Sequence, residues 1–87
     1  MKIRIPYILR HLTGGIETVE TEGQTVGECL SALEDKFPGI TARIFDEDGQ
    51  LYKYIVLYLN DREISCSTDL PVKDEDELLV LLMISGG

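Results

Sequence analysis

At 87 residues, with 16 acidic and 8 basic side chains for a net charge of −8, the chain is one domain with the wrong sign to hold a phosphate backbone. A composition 44% hydrophobic and 28% charged excludes disorder, and the longest apolar run, 78–84, falls far short of the about 20 residues a membrane helix needs. Nucleic acid and membrane are therefore not expected partners, whereas the acidic balance favours a basic protein surface.

The first residues, Met1-Lys2-Ile3-Arg4, lack the apolar core and cleavage site of a leader, so the expected location is cytoplasmic. Alternation from Lys2 to Ile5, continued by Tyr7-Ile8-Leu9, predicts a strand with Pro6 at a non-bonding or edge position. Thr13-Gly14-Gly15 is then a turn, and Ile16 to Glu20 returns as the second strand of an opening hairpin. Thr25-Val26-Gly27-Glu28 has the pattern of a capping box. Behind it, Val26, Cys29, Leu30, Leu33 and Phe37 recur at helical spacing until Pro38-Gly39 stops the helix.

A short helical turn within Ile40 to Phe45 leads to the Asp46-Glu47-Asp48-Gly49 loop. Tyr54 to Leu59 is a strand, Asn60-Asp61 a turn, and a short strand follows around Glu63 to Cys66. An acidic loop precedes the final strand, Leu78 to Ile84. One helix among five strands predicts an α+β domain of two layers, a mixed sheet packed on that helix. The final strand is apolar on both alternating sets, as is Tyr54 to Leu59, yet a single helix covers only one face. The second face is either covered by loops or docks a partner. For docking, Tyr54 and Tyr58 share one side of their strand, and Arg4 is the polar neighbour.

Catalytic equipment is hard to find. His11 is the only histidine and has no evident nucleophile beside it. Cys29 and Cys66 stand far apart and outside any metal spacing, and the acidic runs lack the calcium-loop pattern. No catalytic, metal or cofactor-binding residue is assigned. The informative feature is the close, Ser85-Gly86-Gly87, three residues without bulk behind an apolar strand. Such an arm enters a narrow channel and delivers its carboxylate, since glycine lets backbone approach backbone. The reading is a domain over 1–84 and a flexible arm over 85–87, with Gly87 modified and Gly86 and Ser85 threaded into the partner's channel.

The element order, the helix after Thr25, the Tyr58-Leu59-Asn60-Asp61 turn and the terminal Gly86-Gly87 resemble the ubiquitin-like sulfur carriers, which share the β-grasp fold. Ile5 to Arg10 followed by Thr13-Gly14-Gly15 is most similar to the branch that serves cysteine biosynthesis. The resemblance implies a carrier and not an enzyme. An adenylating enzyme of the ubiquitin-activating type, using ATP, would join Gly87 to AMP, and a sulfur donor would convert it to a thiocarboxylate. A pyridoxal phosphate cysteine synthase would accept the sulfur and a metalloprotease would process the product. The molybdopterin and thiamine branches stay open, the former with the molybdopterin synthase large subunit as acceptor. So do a ubiquitin-like protein modifier and a plain interaction module.

Overall fold

Alternation in the first strand puts Ile3 beneath the sheet and Lys2 and Arg4 above it, and the later strands keep that division. The computed structural model describes residues 1–64 and 68–83. The strands are β1 (Lys2–Arg4), β2 (Thr18–Glu20), β3 (Ile55–Leu59), β4 (Arg62–Ile64) and β5 (Glu77–Leu82), with one α-helix, α1 (Val26–Lys36), after β2. They form one mixed sheet in the order β2-β1-β5-β3-β4. β1 and β5 run parallel at its centre and every other pair is antiparallel. This is the α+β, β-grasp arrangement expected from the sequence. β5 ends at Leu82, so Met83 lies beyond it and not within the strand as expected. Ile84, the expected continuation of the short strand to Cys66 and the arm over 85–87 lie outside the described residues.

The capping box forms: Glu28 N–H donates to Thr25 Oγ1 at 3.1 Å. The reciprocal bond reaches one residue further back than the motif predicts, with Gln24 N–H donating to Glu28 Oε1 at 3.1 Å. Two further amides of this end, those of Val26 and Gly27, donate to the carbonyls of Leu70 and Thr68. The helix start is thereby stitched to the loop before β5. Val26, Cys29, Leu30 and Leu33 are buried against Ile3, Leu57, Leu78 and Val80 of the sheet. After the helix, Glu34 accepts hydrogen bonds from Thr41 Oγ1, Thr41 N–H and Gly39 N–H. Those bonds hold its carboxyl below the ordinary carboxylate range, the Thr41 hydroxyl contributing most. The short helical turn over Thr41–Arg43 falls where it was expected.

The opening hairpin needs correction. β1 and β2 pair antiparallel, Ile3 opposite Val19, but β1 ends at Arg4 and no tight turn joins them. A 3₁₀ helix spans Tyr7–Thr13 instead. Pro6 begins it with φ −64°, and its carbonyl receives Leu9 N–H at 2.9 Å. Gly14, at φ 65°, ends it in the left-handed region, where glycine carries no Cβ penalty. Leu9 and Thr13 turn inward while Tyr7 and Ile8 face out. Pro6 is therefore a helix starter and not an edge-strand residue.

Candidate functional site

β5 lies in the middle of the sheet, and its start is held by the turn before β4. Asn60 and Asp61 both take positive φ, 51° and 68°, as the two-residue hairpin between β3 and β4 requires. From there Asn60 bonds to the approaching strand three times: its N–H to Glu77 O at 3.0 Å, its side-chain oxygen from Glu77 N–H at 3.0 Å, and its Nδ2 to Asp76 Oδ1 at 2.8 Å. Asp76 also accepts Lys73 N–H at 2.8 Å. The Asn60 amide first, and that backbone bond second, hold the Asp76 carboxyl below its ordinary range. At the other end, Met83 N–H donates to Tyr54 O at 2.6 Å. The strand leading towards Gly86-Gly87 is thus fixed at both ends. Ser85, Gly86 and Gly87 themselves lie outside the described residues.

The face of the sheet away from α1 carries the predicted docking residues. Leu79 of β5 stands opposite Arg4 on one side and Tyr58 on the other, so Arg4, Leu79 and Tyr58 form one row across three strands. Leu81 opposite Val56 forms the next row. Tyr58 and Leu79 are half-buried, and Leu81 is 38% exposed. No second layer closes this face among the described residues. Arg4 sits at its margin, 3.2 Å from Glu17 and 3.8 Å from Glu77. Tyr54 lies just before β3 instead of within it, 46% exposed, its ring stacked on Tyr52 at 5.4 Å between centroids. Arg4 and Tyr58 therefore share a row, while Tyr54 belongs to the carboxyl end of β5 beside Met83.

Sequence reasoning missed what surrounds that end. The 3₁₀ helix projects Tyr7, 84% exposed, together with Ile8. Arg10 Nε donates to Ile5 O at 3.1 Å, and its guanidinium lies 5.7 Å from the centre of the Tyr7 ring. His11, with no catalytic role assigned, is exposed on this same segment. A signal was present: Pro6 followed by Leu9 and Leu12 has the spacing of a turn of helix. Cys29 is fully buried in the core and His11 has no nucleophile beside it in the lining of either neighbouring cavity. Among the described residues, no group of three or more His, Cys, Asp or Glu side chains is placed to hold a metal ion. What the arrangement offers is an anchored strand with an open apolar face beside it, and Gly86 and Gly87 follow that strand in the sequence.

Comparison with known proteins agrees with that geometry. A family model described as the ThiS family matches residues 3–87. The sulfur carrier protein CysO of Mycobacterium tuberculosis is 35% identical over 89 residues, which span 98% of this chain and 96% of the relative. Small archaeal modifier protein 1 of Haloferax volcanii is 33% identical over 70 residues, covering 79% of this chain and 78% of the relative. Among solved structures, a chain of the Amycolatopsis orientalis BexX/CysO complex matches with a TM-score of 0.88 at 39% identity, over 99% of this chain and 98% of that one. No helix among the described residues is long and apolar enough to cross a membrane.

Proposed function

The chain belongs to the ThiS family, and on that premise we propose that it is a sulfur carrier that works through a thiocarboxylate at Gly87, in cysteine biosynthesis. The observation that carries this reading is the 35% identity to sulfur carrier protein CysO across 98% of the chain. The anchored position of β5 and the two glycines beyond it support the same role.

A carboxylate is a poor electrophile, so the cycle begins in an adenylating partner of the ubiquitin-activating type. There the Gly87 carboxylate attacks the α-phosphorus of ATP and pyrophosphate leaves. A hydrosulfide equivalent then adds to the acyl carbon and AMP departs with the electron pair of the broken C–O bond. The product carries an anionic sulfur at neutral pH, and ionised sulfur is the nucleophilic form. A pyridoxal phosphate cysteine synthase accepts it, and a metalloprotease releases the product from the carrier's end. This chain contributes recognition and a tethered nucleophile, which raises effective concentration, while the partners contribute catalysis. Ser85 and Gly86 occupy the partner's channel, and Arg4, Tyr54 and Tyr58 contact its surface. The Amycolatopsis complex of BexX with CysO supports a carrier acting through protein partners.

A second reading has its own support. Small archaeal modifier protein 1 is 33% identical over 79% of the chain, and in a modifier the same acyl-adenylate would end on a substrate lysine. Isopeptide-linked adducts in cell lysate favour that reading; their absence, with sulfur loading intact, favours the carrier. The test common to both is ATP–pyrophosphate exchange by the cognate adenylating enzyme. Gly86→Val is expected to abolish exchange by obstructing the channel while the melting temperature stays unchanged. Normal exchange by that variant would contradict the role given to the arm.

A further inference from the structure

Two concavities meet at the carboxyl end of β5. One, about 870 Å³, lies between the 3₁₀ helix and the strand, with Arg4, Tyr7, Arg10 and Leu81 in its wall. The other, about 500 Å³, is framed by Arg43, Tyr54 and Met83. Ile8 and His11 line both. Among the described residues, no aspartate or glutamate lines either one, in a chain with 16 acidic side chains and 8 basic. Arg4, Arg10 and Arg43 are three of the four arginines, and His11 is the only histidine. Arg4 and Arg10 share Glu17, at 3.2 and 3.9 Å. Arg43 has no ion pair among the described residues.

We propose that this surface docks a segment of a partner protein in which carboxylates stand beside large apolar side chains, a partner chemistry opposite to the one net charge predicts. The partner's role rests on the carrier reading; the contact does not. Ile8, Tyr54 and Met83, all exposed, supply the apolar half of the match. Arg43 supplies a guanidinium without an ion pair among the described residues, and its bond to a carboxylate is charge-assisted and among the stronger polar contacts. In a chain of net charge −8, a surface lined by three arginines and, among the described residues, no carboxylate favours an acidic segment more than the acidic remainder does. The position beside Met83 places such a partner where the strand hands over to the terminal arm.

The probe is a synthetic peptide alternating leucine and glutamate, titrated into the full ¹⁵N-labelled chain without ATP or sulfur donor. Saturable shifts confined to Ile8, His11, Arg43, Tyr54 and Met83 are expected. The counterpart with lysine in place of glutamate should give none. Arg43→Glu should weaken binding about tenfold and Arg43→Gln about threefold, with the rest of the spectrum unchanged. Equal or tighter binding of the lysine peptide, unaltered affinity in Arg43→Glu, or shifts spread over other surfaces would overturn the proposal. Concentration-dependent shifts at these residues without peptide would also overturn it, assigning the surface to a second copy of this chain. Since no activation takes place in the titration, failure of docking and failure of sulfur loading at Gly87 are separate results.

Discussion

The two faces of β5 are made of the same kinds of residue and do different things. Leu78 and Val80 are completely buried beneath α1, whereas Leu79 is half-buried and Leu81 more exposed still, with Tyr58 and Val56 as neighbours. Hydrophobicity alone does not distinguish them; the helix does. One set of alternating side chains has a layer to pack on, and the other is open beside the strand's carboxyl end. A strand apolar on both sides in a one-helix domain therefore combines a stabilising face with a face suited to recognition.

The largest expected effect is on the buried face. Leu78→Ala should destabilise the fold by about 2–5 kcal/mol, since a fully buried leucine leaves a cavity that rigid neighbours fill poorly. Urea unfolding measures it. A loss below about 1 kcal/mol would erase the contrast between the faces. On the open face the balance reverses. Tyr58→Ala should weaken binding to the adenylating partner by about 1–3 kcal/mol, the range of aromatic interface anchors, and lower stability by less than Leu78→Ala. Calorimetric titration beside thermal melts separates the two. A variant as unstable as Leu78→Ala would assign Tyr58 to the core.

Two smaller effects probe the helix layer that creates the contrast. Thr25→Ala removes the oxygen that accepts Glu28 N–H and should cost about 1 kcal/mol, read by urea unfolding. Glu34, which pins the segment after the helix, has a carboxyl held below the ordinary carboxylate range, chiefly by the Thr41 hydroxyl. Its contribution is complete above that range and is lost as pH falls through the lower folded value. Stability measured across this acid range should therefore fall less steeply in Glu34→Gln than in the unaltered chain. The group is only half-buried and solvent screens it, so the difference is the smallest of the four.

Elements with local chemistry were legible in the sequence. Thr25 and Glu28 announced the helix because capping is a contact between near neighbours, and Asn60-Asp61 announced a turn because few residues tolerate positive φ. Tyr54 and Tyr58 were legible as candidates through strand parity. The 3₁₀ helix was not: Tyr7-Ile8-Leu9 continues an apolar pattern that suits a strand, and only the inward turn of Leu9 beneath the sheet decides otherwise. Nor was the place of Arg43 legible. Its short helical turn was expected, but its approach to Tyr54 and Met83 is set by tertiary packing between distant segments. Net charge pointed to a basic partner because it averages over a surface of which one end is lined by three of the four arginines and, among the described residues, by no carboxylate.

The role proposed for Gly87 is to carry the sulfur. It is tested most directly by intact and tandem mass spectrometry of the chain after incubation with ATP, the cognate adenylating enzyme and a sulfide donor. The expected result is a gain equal to exchanging one oxygen for sulfur, dependent on ATP and located by fragmentation on Gly87. No ATP-dependent gain, or a gain located on Cys29 or Cys66, would contradict it.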